Sequence, residues 1–272
     1  MNLRKKIIGA IVTVLIVITN IAVFAQTEKK TQTALSVEPK RTEAGIEYNL
    51  YLENTNCLST LFFEMNFDGK NVGKATLEKN ECFDILHTTW NTDNRISVKG
   101  YLGRTGNKMG FSSNERIKVA KIVISIDVSS TGEFIADISN VICAGITETD
   151  GTAVKGEVKV YETSIKYAVN ECSVLDFTQN AVDILSSKAQ NVDVIFAAYD
   201  ENGKLVSSHK ENVALQQGKN KLDVSGIDFT NSESISVMIW DSMASMRPFA
   251  DKLPGGYLGE QLGFPGYRSQ EL

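Results

Sequence analysis

The chain has 272 residues, a formal net charge of −5 and a hydrophobic content of 42%. This length suits one large or two ordinary domains. The acidic balance, with no stretch rich in lysine and arginine after the first 25 residues, argues against a nucleic-acid partner.

The first 25 residues predict a secretory signal. Arg4, Lys5 and Lys6 form a basic start, and an uncharged run of 19 residues follows from Ile7 to Ala25. The run ends with short residues at the two positions that a signal peptidase recognises. The alternative is an uncleaved anchor helix, because such a run nearly spans a bilayer. Both interpretations place the rest of the chain outside the cell, so we expect a secreted or cell-surface protein that touches the membrane only through an uncleaved signal.

Removal of residues 1–25 takes away three basic and no acidic residues, which leaves 247 residues with a net charge of −8. The remaining chain has four cysteines: Cys57, Cys82, Cys143 and Cys172. An exported protein can form disulfides, and the three possible pairings stay open, although we expect at least two buried free thiols. The spacing of the cysteines and of the two histidines does not fit a zinc site, so we expect no metal and no cofactor.

Residues 26–33 predict a short polar leader, and from Ala34 onward apolar and polar residues alternate with a period of two. The alternating segments are 46–52, 61–67, 95–101, 118–128, 134–138 and 158–162. In segment 95–101, Gly100 leaves undecided which side chains face the core. Short alternating segments separated by turn pairs such as Asp68-Gly69 predict an all-β sandwich or barrel, and nothing after the signal predicts an amphipathic helix.

A second unit begins after a boundary near Lys166–Ser173. Its clearest element is a hairpin that joins Val192–Tyr199 to Leu205–His209 across a turn containing Asn202-Gly203. The predicted organisation is a first domain at 34–167, a second at 173–251 and a flexible tail at 252–272.

Four segments of the first domain resemble a cohesin domain: Ile46–Leu52, Leu61–Asp68, Arg116–Val128 and Ala144–Tyr161. The resemblance extends from Ala34 to Lys166. It implies a nine-strand jelly-roll sandwich related in fold to several carbohydrate-binding modules. It also implies a non-catalytic role, since cohesins bind dockerin modules carried by polysaccharide-degrading enzymes.

The second domain resembles the small immunoglobulin-like modules of secreted bacterial proteins. The resemblance rests on Phe196–Asp200, Gly203–Leu205, Ser236–Met243 and Pro248. It implies a second, smaller β-sandwich that serves in spacing and packing.

Catalytic residues are not evident in the sequence. Glu64 and Asp68 share one strand face, as a carboxylate pair of a glycosidase would, but solvated surface charges explain them better. His87 and His209 could act as the base of a catalytic triad, but the sequence has no Gly-x-Ser-x-Gly motif that would supply the nucleophilic serine. We therefore expect a protein that is not an enzyme.

The candidate binding residues are Phe62, Glu64, Trp90 and Tyr101. Phe62 points outward on a predicted strand, whereas Trp90 and Tyr101 fall in a region after Phe83 that we expect to be irregular. Exposed aromatic rings bind protein partners or stack on pyranose rings, and the alternative is that they cover the core under long loops. We expect non-catalytic attachment through an exposed sheet face, in an extracellular assembly linked to polysaccharide, with a dockerin-like or other protein module as partner. Two alternatives stay open: direct carbohydrate binding by the jelly roll, and a purely structural surface spacer.

Overall fold

The alternating segments of the sequence form β-strands in the computed structural model. It describes residues 32–68, 72–91, 96–104, 110–146, 153–156, 158–178, 180–230, 232–245, 247–249 and 256–257. The predicted signal, residues 26–31 of the leader and almost all of the tail lie outside these residues. In the described ranges all regular structure is β-strand, which confirms the all-β class, and none contains a helix long and apolar enough to cross a membrane.

Twelve strand segments precede residue 170 in the described part of the chain. They are β1 (Thr33–Thr42), β2 (Gly45–Glu53), β3 (Thr55–Asp68), β4 (Val72–Lys79), β5 (Ile85–Asn91), β6 (Ile96–Gly103), β7 (Phe111–Ser113), β8 (Ile117–Ile126), β9 (Gly132–Ile146), β10 (Ala153–Gly156), β11 (Val158–Val160) and β12 (Ser164–Val169). Because β7, β10 and β11 have only three or four residues each, nine longer strands remain, as the jelly roll requires.

These strands form two sheets around one hydrophobic core. The first sheet has the order β11-β1-β2-β8-β4, and the second has the order β10-β9-β3-β6-β5, with β12 paired to β9 and β7 paired to β3. The β1–β11 pair is parallel, and the other pairs in both sheets are antiparallel. The core takes alternate residues from both sheets. They include the alternating apolar residues of the predicted segments in β2 and β3, which are Ile46, Tyr48, Leu50, Leu52, Leu61, Phe63, Met65 and Phe67.

Gly100 shows how neighbouring strands of the second sheet share the space on its inner face. It lies opposite Phe63 in the β3–β6 register, and Phe63 is fully buried. A Cβ atom at Gly100 would lie only 2.4 Å from Cζ of Phe63. Gly100 therefore lies on the inner face of β6, which the sequence leaves undecided, and its lack of a side chain leaves room for the Phe63 ring.

A second, separate core begins at Cys172. Its strands are β13 (Cys172–Phe177), β14 (Ala181–Ser186), β15 (Gln190–Tyr199), β16 (Leu205–Leu215), β17 (Gly218–Asp223), β18 (Ser234–Trp240) and β19 (Gly256–Tyr257). They form the sheets β13-β14-β17 and β16-β15-β18-β19. The predicted hairpin is confirmed as β15–β16, and the domain limits 34–167 and 173–251 stay a prediction.

All four cysteines are free thiols. Cys143 and Cys172 are buried, and burial raises the pKa of both thiols. The expectation of at least two buried free thiols is thus confirmed.

Candidate functional site

The outer face of the second sheet carries a row of side chains that crosses four strands. The register places Ile142 of β9 opposite Phe62 of β3, Phe62 opposite Tyr101 of β6, and Tyr101 opposite His87 of β5. Ile142 is 44% exposed and Tyr101 is 38% exposed, whereas Phe62 is half-buried. The sheet therefore presents an aromatic and aliphatic row to solvent.

The adjacent row, formed by Ala144, Thr60, Gly103 and Ile85, carries no charge. Ile85 is 37% exposed. A Cβ atom at Gly103 would lie 3.2 Å from Cε1 of Tyr101, which shows that the tyrosine ring lies beside this glycine.

We call the surface made by Phe62, Ile85, His87, Tyr101 and Ile142 the apolar face. Seven large hydrophobic residues are exposed among the described residues, and three of them belong to this face. Contiguous exposed apolar surface on a soluble domain commonly marks an interaction site. The face therefore has the character of a binding surface.

Glu64 occupies the next row towards the other end of the sheet. Its carboxylate accepts hydrogen bonds from Asn140 Nδ2 at 3.0 Å and from Ser97 Oγ at 3.4 Å, and it lies 3.7 Å from Lys99 Nζ. The Glu64 side chain is only 19% exposed, while that of Lys99 is 51% exposed. The apolar face is thus bordered by a carboxylate that its neighbours hold in place.

A β-bulge explains why the sequence does not predict Ile142 as a site residue. Simple alternation from the buried Ile138 would place Ile142 inside the sandwich. The β3–β9 register instead shifts between Phe62 and Glu64, and Asn140 adopts a φ of 51°. The bulge reverses the alternation, so that Ile142 faces solvent. An asparagine within a strand is the signal in the sequence, because asparagine tolerates this left-handed conformation better than most residues.

The structure brings together three of the four candidate binding residues: Phe62, Glu64 and Tyr101 share the outer face of one sheet. Trp90 lies in β5 and Tyr101 in β6, so the expectation of an irregular region around them is wrong. Trp90 has Val98 as its backbone partner and is not in the row of Tyr101, and its side chain lies outside the described part of the structure. His87 and Ile85 complete the face, although no pattern in the sequence marks them as binding residues. Within the described ranges, no group of three histidine, cysteine or acidic residues is placed to hold a metal ion.

The outer face of the first sheet is different, because its charges compensate each other. Lys121 Nζ lies 3.7 Å from Glu47 and 3.1 Å from Glu78, and Lys118 Nζ lies 3.4 Å from Glu47. Burial raises the pKa of Glu47, but Lys118 and Lys121 outweigh this effect and hold it below its usual range. The two outer faces therefore differ in chemistry: the first carries a network of ion pairs, whereas the second carries the apolar face beside the Glu64–Lys99 pair.

No protein-family model matches the sequence, and no curated protein matches it. Among solved structures, the chain is similar to the seventh ScaB type I cohesin from Pseudobacteroides cellulosolvens, with 12% identity and a TM-score of 0.39 over 49% of this chain and 90% of that chain. A non-cellulosomal cohesin from Archaeoglobus fulgidus shows 9% identity and a TM-score of 0.36 over 51% of this chain and 91% of that chain. A chain from a type I cohesin–dockerin complex of Clostridium thermocellum shows 9% identity and a TM-score of 0.36 over 50% of this chain and 91% of that chain. These likenesses concern the fold alone.

Proposed function

We propose that this protein is a non-catalytic binding protein that docks another protein on its apolar face. The observation that supports the proposal best is the row of Ile142, Phe62 and Tyr101, which lies across neighbouring strands with two of its members exposed. A flat sheet of this kind can contribute the roughly 800 Å² per partner that a standard protein interface buries.

The remaining exposure of these side chains sets the energy available for docking. Full burial of a large apolar side chain is worth about 1.5–3 kcal/mol. Since Ile85, Tyr101 and Ile142 are 37%, 38% and 44% exposed, a partner that covers them gains about 1 kcal/mol from each. A few such anchors commonly dominate the affinity of an interface.

Glu64 and Lys99 supply the polar border that such an interface needs for orientation. Charged groups at a rim contribute more to the choice of partner than to affinity. Glu64 is already held by Asn140 and Ser97, so its position costs little to fix on binding.

A protein partner fits the apolar face better than a sugar does. Ile85 and Ile142 offer neither an aromatic ring for stacking nor a hydrogen-bonding group for hydroxyls. The sequence resemblance makes a dockerin-like module the first partner to test. The predicted signal places this docking outside the cell, in an assembly linked to polysaccharide.

The test is to measure binding of the full chain to a panel of immobilised dockerin modules. Tyr101→Ala and Ile142→Ala should each weaken binding about fivefold, which corresponds to about 1 kcal/mol. The matched control is Tyr161→Ala, because Tyr161 is also exposed but lies next to the other sheet, and it should bind as the unchanged chain does.

Full binding by the Tyr101 and Ile142 variants would show that the apolar face is not the docking surface. If the unchanged chain binds no module of the panel and no second copy of itself, the spacer alternative gains support over the binding role.

A further inference from the structure

Two small residues of β1, Ala34 and Ser36, lie on the outer face of the first sheet, and Ala34 is only 3% exposed. Tyr51 lies opposite Ser36 on β2, and Tyr161 follows β11 on the other side of β1. The backbone N–H of Tyr161 donates to the carbonyl of Leu35 at 3.0 Å, which continues the β1–β11 pairing. Two tyrosines therefore flank one serine across three strands.

Arg116 and Glu53 connect the two tyrosines. The guanidinium carbon of Arg116 lies 3.9 Å from the centre of the Tyr51 ring, and Arg116 Nε lies 3.5 Å from Glu53 Oε1. The hydroxyl of Tyr161 donates to Glu53 Oε2 at 3.4 Å. Both rings are thus held in fixed positions by the same pair of charged residues.

Arg116 also contacts two residues of β1. Its Nη2 donates to Ser36 Oγ at 3.2 Å and to Glu38 Oε1 at 2.5 Å. Burial, followed by the charge of Glu38, raises the pKa of Tyr51, so this ring stays a neutral phenol. We call this arrangement the tyrosine trough; its residues are Ser36, Glu38, Tyr51, Glu53, Arg116 and Tyr161.

The groups of the tyrosine trough remain accessible although they are positioned. Tyr161 is 51% exposed, and the side chains of Glu38, Arg116 and Glu53 are 54%, 37% and 29% exposed. Each carboxylate has about four lone-pair sites, so it can accept further hydrogen bonds. Lys159 Nζ lies 5.1 Å from the centre of the Tyr161 ring, and about half of Tyr161 is still open to solvent.

We propose that the tyrosine trough binds a pyranose unit of a polysaccharide. The exposed ring of Tyr161 offers an apolar face to the C–H groups of the sugar, and Glu38 and Glu53 accept hydrogen bonds from its hydroxyls. Arg116 donates to a ring or hydroxyl oxygen. The mixture of a rigid aromatic ring and fixed charged hydrogen-bonding groups favours a sugar over a protein anchor, because the trough has little aliphatic surface to bury.

This site is independent of the apolar face, since the two lie on different sheets. The protein would then hold a glycan on one side and a protein partner on the other. Positioning of the trough before binding lowers the entropic cost of capturing a ligand that makes few contacts.

The experiment is affinity electrophoresis of the full chain through gels that contain a neutral β-glucan, a xylan or a polygalacturonate. At least one of these polysaccharides should retard the unchanged chain. Tyr161→Ala should weaken the retardation about tenfold, whereas Tyr161→Phe should keep most of it because the ring remains. The matched control is Tyr101→Ala on the apolar face, which should migrate as the unchanged chain does.

Glu38→Ala keeps the test valid if Tyr161→Ala does not fold, because Glu38 is exposed and its loss leaves the packing intact; it should weaken retardation severalfold. Absence of retardation by all three polysaccharides would overturn the proposal. Equal retardation of the unchanged chain and of the Glu38 and Tyr161 variants would also overturn it.

Discussion

Replacement of Gly100 by alanine tests the packing at the core of the first sandwich. The added Cβ would lie 2.4 Å from Cζ and 2.7 Å from Cε1 of Phe63, and 3.0 Å from Cδ2 of Leu77. Phe63 is fully buried, so its ring cannot move without displacing other core residues. Overpacking of this kind costs about 1–3 kcal/mol, which exceeds the gain of about 0.4–1 kcal/mol from a less flexible unfolded chain. We expect Gly100→Ala to lower the free energy of unfolding by about 2 kcal/mol.

A double-mutant cycle with Phe63→Leu identifies the cause. Phe63→Leu removes the ring atoms that the new methyl group would meet, at a cost of its own for the cavity. In the Phe63→Leu background, Gly100→Ala should therefore cost at least about 1 kcal/mol less than it does alone.

The assay is urea unfolding followed by the fluorescence of Trp90, in a Trp240→Phe background so that only the first sandwich reports. If Gly100→Ala leaves the unfolding free energy unchanged, or if the two substitutions are additive, Gly100 does not face the Phe63 ring.

Three further predictions concern other parts of the chain. Gly145→Ala should lower the free energy of unfolding of the first sandwich in urea by about 1–3 kcal/mol, because the added Cβ would lie 2.4 Å from the carbonyl oxygen of Cys57. Gly226→Ala is the control: its Cβ would have no atom within 4 Å, so it should have little effect. Asp193 accepts hydrogen bonds from the Asn212 side chain and the Met243 N–H, and these bonds lower its pKa. The ionised Asp193 therefore contributes its full stabilisation above the pKa of the unfolded state, and this stabilisation is lost as the pH falls through the pKa of the folded state. Asp193→Asn should accordingly reduce the decrease in unfolding free energy measured from about pH 5 to about pH 2. In the folded chain, mapped alkylation should modify Cys143 more slowly than Cys57, since Cys143 is buried and burial raises the pKa of its thiol; equal rates would contradict the buried position.

Local periodicity was sufficient to predict the strands that form the two cores. Inward and outward residues alternate in 46–52 of β2 and 61–67 of β3, so their inward sets could be identified without knowledge of their partners. The β15–β16 hairpin could also be predicted from the sequence, because its two strands are neighbours in the chain and a turn sequence joins them.

The candidate sites depend on pairings that local sequence does not encode. The apolar face requires the registers of β9, β3, β6 and β5, and one bulge at Asn140 decides that Ile142 is outside. The tyrosine trough requires the parallel pairing of β1 with β11, which brings Tyr161 beside Ser36 from a distant part of the chain. A shift of one residue in either register would move every side chain to the opposite face, and a single sequence does not fix such long-range registers.

The most direct test of the docking role is hydroxyl-radical footprinting of the full chain, alone and with the tightest-binding dockerin module of the panel. In the free chain, Tyr101 and Ile142 should be oxidised, because both are exposed. In the complex both residues should become protected. Met243, which follows β18 and is 42% exposed, should be oxidised at an unchanged rate. Unchanged oxidation of Tyr101 and Ile142 in a saturated complex would contradict docking on the apolar face.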